Sequence, residues 1–215
     1  MAFLDASFFY SPGAASLSDI ATRLGVKKAS LYNHFSSRED IVHQATDFCS
    51  EYLKALSFIP QNIESVINKY SAESVFKGIS TNYIKMHGQK PLFQIYTFIQ
   101  AQKYFSAESA NVAEQCDLRL AKQVEKVLNL LCSAQKLPQM SEQKIEIASK
   151  WFARSLRTIL SRCLLKKKKI VVENPDYGEG ELFDLPESNE WFKEALPLAE
   201  EFTALLDGQA FCTRL

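Results

Sequence analysis

The feature that most constrains this chain is a spacing. From one end to the other, apolar residues return every third or fourth position, which gathers them on one face of an α-helix, while the alternating runs that would build a sheet are scarce. An all-α fold is predicted. Glycine and proline are scarce, seven of each, and those at Pro12-Gly13, Gly25, Pro60, Gly88 with Pro91, Pro138, Pro175, Gly178, Gly180 and Pro186 punctuate the pattern into about nine helices. These are expected near 2–10, 17–24, 28–34, 37–57, 71–87, 91–104, 107–135, 141–165 and 189–206, with Pro197 kinking or restarting the last. Helix length changes near Pro60. The chain therefore divides into a small N-terminal unit, 1–55, and a larger helical body, 56–215.

Charge narrows the possible partners. The 25 basic and 25 acidic side chains cancel, so no global field draws the molecule to nucleic acid or an anionic membrane, and any binding of a polyanion has to be local. The five cysteines, Cys49, Cys116, Cys132, Cys163 and Cys212, are odd in number and contain no C-x-x-C pair, which fits neither a disulfide framework nor a zinc site. No stretch reaches the roughly 18 apolar residues that span a bilayer, and the opening residues lack a secretory pattern. A cytoplasmic protein without a membrane partner is expected. The acid-rich segment 173–190, directly after Lys166–Lys169, reads as a solvated loop following a lysine-rich helix end.

One window holds cations without opposing carboxylates. Between Ile20 and Arg38 lie Arg23, Lys27, Lys28 and Arg38, with His34 beside them and no acid. Gly25 stands where a tight turn between two short helices needs a left-handed backbone, and Ile20, Ala21, Leu24, Val26, Leu31 and Phe35 supply an apolar set. Ser16 or Ser18 can cap the first helix. On the second, Lys28, Ser30, Tyr32, Asn33 and His34 cannot all join the core that Leu31 and Phe35 enter, so several donors face outward together. Such a helix fits a DNA major groove. Ala29 and Ser30 would let its backbone come close, Tyr32 and His34 would reach phosphates, and Lys28 or Asn33 would touch base edges. Arg38 would hold a phosphate at the start of the next helix.

The stretch SLSDIATRLGVKKASLYNHFSSREDIV resembles the helix-turn-helix signature of the tetracycline-repressor (TetR) family of bacterial transcription regulators. The match runs through Ser16, Ile20-Ala21, Gly25-Val26, Leu31-Tyr32, Phe35 and Ser37-Arg38-Glu39. The resemblance implies a three-helix DNA-binding domain joined to a helical domain for ligand binding and dimerisation, and a function in repression relieved by an effector. It places Ser16, Lys27, Lys28, Ala29, Ser30, Tyr32, Asn33, His34 and Arg38 at a double-stranded operator. Lys27 stands where the family usually caps its recognition helix with a hydroxyl, and Ala29 replaces a frequent glycine. The opening FLDASFFYSPGAAS is about two residues short of the family's first helix before Gly13, so a shortened helix or a start further upstream is expected. The first of these motivates the alternative, a helical ligand-binding or protein-interaction module with impaired DNA binding.

In the larger body, Phe76, Tyr83, Met86, Phe93, Tyr96 and Tyr104 crowd aromatic and soft surface into one stretch, the candidate lining for a small apolar or aromatic effector. Two stripes at helical spacing supply a candidate homodimer interface: Trp151, Phe152, Ser155 and Ile159, then Trp191, Ala195 and Phe202. No catalytic constellation is found. His43 and His87 read as ordinary helix-surface or core histidines, nucleotide and nucleophile fingerprints are missing, and no metal or cofactor is called for.

Overall fold

The computed structural model describes residues 1–173 and 189–208. Over this span the chain is helical, with ten helices and no strand among the described residues: α1 (Ala2–Tyr10), α2 (Leu17–Leu24), α3 (Lys28–Tyr32), α4 (Arg38–Lys54), α5 (Ile63–Lys69), α6 (Ala72–His87), α7 (Leu92–Gln102), α8 (Ala107–Ser133), α9 (Glu142–Glu173) and α10 (Asn189–Leu206). The all-α expectation holds. The sequence reading missed α5, a short helix whose inward face is only Ile63 and Ile67, one turn apart and both buried. It also ended α9 too early. Lys167 is still packed inward past the expected end, so the helix keeps a buried face to follow. Pro197 lies inside α10, which runs through it as one element. Of the expected acidic loop, 173–190, the stretch 174–188 lies outside the described residues, while Glu173 belongs to α9 and Asn189 and Glu190 to α10.

Packing gathers the chain into two units, one of residues 1–56 with 90–116, the other of 57–89 with 117 onward. In the first, α1 is apolar on most sides and packs against α7 and α2. Phe3 meets Phe98 edge-on with ring centroids 5.6 Å apart, and Phe8 meets Phe93 at 5.0 Å. Asp5 adds a polar tie, accepting from Gln94 and pairing with Lys90 at 2.9 Å. Phe93, expected to line a ligand site, is therefore core of the N-terminal unit, and Tyr96 sits half-buried on the same helix. Tyr104 is 78% exposed.

The second unit is built around three rings. Phe76, Phe152 and Phe202, from α6, α9 and α10, lie with centroids 4.7 to 4.9 Å apart and are almost fully enclosed. Each such ring removes on the order of 150–250 Å² from water, which makes this cluster the main apolar anchor of the unit. Two expectations are corrected here. Phe76 is not a ligand contact, and Phe152, Phe202 and Ala195 are not available to a second copy, because their own chain buries them. Trp151 remains partly exposed, stacked on Phe202 at 5.7 Å, and Ser155 and Ile159 are half-buried or exposed; the side chain of Trp191 is outside the described residues. Lys167, 2% exposed, donates to the Gly88 carbonyl at 2.9 Å, and Lys136 donates to the carbonyls of Asn68 and Tyr70 at 3.2 and 2.6 Å. Both lysines satisfy carbonyls that the ends of α6 and α5 leave without helical partners.

His87 is the buried titratable group with a consequence for stability. It stacks on Phe58 and Tyr83, with centroids 5.2 and 4.3 Å away, and its Nδ1–H donates to the Tyr83 carbonyl at 2.9 Å. Burial pushes its imidazole from 6.5 down to about 4, against a smaller upward push from that hydrogen bond. Between those two pH values the unfolded chain holds a proton that the folded chain refuses. Stability from this residue is complete above 6.5 and falls as the pH drops towards 4, by up to about 3 kcal/mol. Urea midpoints at pH 7 and pH 4.5 should show a clear loss in the wild type and a smaller loss in His87→Gln; equal losses would assign the acid sensitivity to other groups.

Candidate nucleic-acid interface

The helix-turn-helix is set by local chemistry that can be followed residue by residue. The Ser16 hydroxyl accepts the Asp19 amide at 3.1 Å while the Asp19 carboxylate accepts the Ser16 amide at 2.7 Å, a reciprocal cap that fixes the start of α2. Hydrogen bonds from the Ser16 side chain and then from its amide hold the Asp19 carboxyl below its usual range. At the other end Gly25 is left-handed, with φ 66°, and the Gly25 and Val26 amides turn back onto carbonyls of the last turn of α2. An L side chain at this φ would be strained, so the glycine lets α3 leave at a steep angle.

Leu31 then decides which way α3 faces. It enters the core formed with Leu4, Ala15, Ile20, Ala21 and Ile41, and is 4% exposed. With that residue committed, Lys27, Lys28, Ala29, Tyr32, Asn33 and His34 are all exposed and Ser30 is half-buried. Tyr32 stands 55% exposed, so it is a surface hydroxyl on an apolar body rather than a core ring. Leu24 and Val26, read from sequence as part of the apolar set, are 52% and 43% exposed and do not close the core. Lys27 occupies the N-cap position without a side-chain cap, as its chemistry requires, and neither Lys27 nor Lys28 forms an ion pair among the described residues.

Two of the four cations are arranged differently from the sequence expectation. Arg38 was expected to hold a phosphate; its guanidinium instead donates to the carbonyls of Gly13 at 2.8 Å, Ala15 at 3.3 Å and Pro12. The planar fork of donors suits three carbonyls of one turn, so Arg38 clamps the α1–α2 connection. Arg23 lies over the Phe9 and Tyr10 rings, 4.6 and 5.8 Å from their centroids. Lys27 and Lys28 are therefore the unengaged cations of the window. The start of α4 is capped by Ser37, whose hydroxyl accepts the Asp40 amide at 3.1 Å, and Gln44 followed by Ser36 holds the Asp40 carboxyl low.

Residues 11–45 match the family model described as bacterial regulatory proteins, tetR family. Over those residues the chain is similar to that family. A curated relative, the negative transcriptional regulator IcaR of the biofilm operon icaADBC in Staphylococcus aureus, is 35% identical over 78 residues, a match spanning 34% of this chain and 41% of the relative. Two solved structures share the fold across nearly the whole length. PfmR, a TetR family transcriptional regulator from Thermus thermophilus, is 13% identical with a TM-score of 0.57, covering 94% of this chain and 96% of that one. The fatty acid degradation regulator FadR from Bacillus halodurans is 14% identical with a TM-score of 0.54, covering 91% of each. At these identities the likeness is one of fold. The tetR match covers the cap, turn and α3 just described, but ends before the larger part of the chain.

That larger part contains a cavity that the sequence did not locate. About 580 Å³ opens between the 57–60 segment, α5 and α6, lined by Phe58, Ile59, Ile63, Val66, Val75 and Ile79, with Ser57, Ser74, Asn82 and Tyr70 as polar points. None of the six aromatic and soft residues predicted to line a ligand site touches it: Tyr83 is core beside Phe58, and Met86 is half-buried one turn beyond Asn82. The signal available was the apolar run Phe58-Ile59 before Pro60 and the small residues Ser74 and Gly78 on one face of α6. No helix among the described residues is long and apolar enough to cross a membrane.

The clamp gives a direct test. Arg38→Ala should cost about 1.5–3 kcal/mol, the range for hydrogen bonds to a charged group, and should speed amide exchange at residues 13–16. Arg38→Lys should recover only part of it, because an ammonium cannot present a planar fork to three carbonyls. Unchanged exchange in Arg38→Ala would show that the turn stands without the clamp.

Proposed function

We propose that this chain is a DNA-binding transcriptional regulator, acting as a repressor in the cytoplasm, and that a small apolar or aromatic effector releases or alters its hold on DNA. The observation that carries the reading is the outward face of α3: Lys28, Tyr32, Asn33 and His34 exposed together with Lys27 at the helix start, held there by an inward Leu31. A groove reader needs donors and cations on one rigid helical face, and small residues where its backbone approaches the duplex; Ala29 and Ser30 supply the second requirement. Ser16 stays exposed at the start of α2, as a phosphate contact requires. The name of the staphylococcal relative, a negative regulator, agrees with repression.

A homodimer reading two half-sites is part of the same proposal. Trp151 and Ile147, the exposed apolar members of the α9 stripe, together with Ser155 and Ile159, form the face assigned to a second copy. The effector is assigned to the 57–60, α5 and α6 cavity, whose volume and apolar lining with a few polar points are those of a small-molecule site.

Binding to the chain's own upstream DNA tests the first part. If Lys27 and Lys28 of two copies each neutralise a phosphate, log K should fall against log salt with a slope of about −3.6, and Lys28→Ala should reduce its magnitude by about 1.8 while weakening affinity. No retention even at low salt would reject the regulator and leave the ligand-binding or interaction module. For the effector, Gly78→Leu is informative: a side chain there meets nothing within 4 Å at its first carbon and grows into the cavity. It should abolish binding of an apolar fluorescent dye and leave DNA affinity within about twofold, because it alters no residue of the reading head and a change outside such a feature is usually close to neutral. Undiminished dye binding would move the effector elsewhere.

A further inference from the structure

Away from the reading face, in the same N-terminal unit, the first three turns of α4 and the first turn of α8 bring together three ligand-type side chains: His43, Asp47 and Glu108. The sequence reading left His43 without a partner. In the fold its Nδ1 lies 3.0 Å from Glu108 Oε2, a hydrogen bond in which the ring nitrogen donates, and its Nε2 lies 3.6 Å from Asp47 Oδ2, beyond a hydrogen bond. The two contacts are not equivalent. With Nδ1 engaged by Glu108, Nε2 faces Asp47 Oδ2 on the same helix face; Glu108 and then Asp47 push the imidazole's pKa up, so an ion arriving at Nε2 displaces a proton.

That geometry is the one a metal site uses. Two ligand atoms bound to one zinc-like ion at 2.0–2.2 Å, at a tetrahedral angle, stand roughly 3.4 Å apart. The Nε2 and Oδ2 separation falls close to it. The second ring nitrogen of a ligating histidine donates to a carboxylate in most metal sites, and Glu108 already occupies that place. The register of the two helices is fixed just beneath, where buried Thr46 bonds to the Val42 carbonyl at 2.9 Å and faces buried Ser109 at 3.5 Å. Asp40, the other acid on this face, is engaged by Gln44 and Ser36 and stays outside the set.

We propose that His43 Nε2 and Asp47 Oδ2 bind a borderline divalent transition ion such as Zn²⁺ or Ni²⁺, with Glu108 holding the imidazole and water completing the coordination. An imidazole ligand excludes Ca²⁺ and Mg²⁺, which take oxygen donors. The ion joins α4, the helix after the reading head, to α8 through the His43–Glu108 bond. The proposal is independent of DNA binding and of the effector cavity.

Paramagnetic Ni²⁺ alone, added to the full chain at pH 7.5 while the ring-proton resonances of the three histidines are followed, tests it. His34 serves as an internal control, an exposed imidazole outside this cluster. His43 should broaden well before His34, and buried His87 should stay sharp. Asp47→Asn should move the His43 midpoint to at least tenfold higher Ni²⁺, and Glu108→Ala by about tenfold, the usual effect of removing an outer partner. All three side chains are exposed or partly so, so the variants should keep the wild-type circular dichroism. Broadening of His34 and His43 at the same concentration, or an unmoved midpoint in Asp47→Asn, would overturn the site.

Discussion

The structure depends first on one inward side chain in a five-residue helix. Leu31 can reach Ile20 and Ala21 only because Gly25 adopts a left-handed backbone and Ala21 leaves room for the approach. Once Leu31 is inside, the 3.6-residue period turns positions 29 and 33 to the opposite side and Tyr32 to the flank, while Lys28 is exposed as the first residue of the helix. A helix this short would not persist in isolation, since nucleation costs more than a single turn returns, so its stability comes from that contact. Orientation of the outward face of α3 and folding of the N-terminal unit are the same event. A charge or hydroxyl at position 31 would therefore remove both together.

How much of this was legible in the sequence follows from how local each feature is. The cap at Ser16 and Asp19, the turn at Gly25 and the facing of Leu31 against Lys28 and Tyr32 are all decided within a few residues, and they could be read from the letters. The aromatic residues of the larger part could not be sorted in the same way. Phe76 and Tyr83 have the spacing of a ligand wall and of a core equally, and the choice was made by α9 and α10, far away in the sequence, which place Phe152 and Phe202 against Phe76. Phe93 went further from its expected place, because α7 packs on α1 and so belongs with the head. The cavity was left between α5 and α6, in the one stretch where the pattern was too short to show a helix.

The dimer stripes failed for a related reason. A continuous apolar stripe on a long helix says that the face is covered, not by what. Phe152, Ala195 and Phe202 are covered by their own chain, leaving Trp151 as the exposed edge of the stripe. Stripe width is informative where stripe existence is not: α9 shows buried positions on one side and, one step round the helix, the partly exposed Ile147, Trp151 and Ser155.

Charge raised the same problem in another form. The acid-free window counts four bases, but a count does not say which of them are available to a polyanion. Arg38 is held by three carbonyls and Arg23 by two rings, and both arrangements use what distinguishes arginine from lysine, a planar fork of donors and a weakly hydrated face. Lysine has neither property, and Lys27 and Lys28 are the two that remain exposed without an ion pair among the described residues. The division of labour is therefore written in residue type: arginines bind the N-terminal unit to itself, and lysines are left facing water. Exchanging the two types across these positions would keep the net charge of the window and undo the arrangement, because a lysine at 38 cannot present a planar fork to three carbonyls.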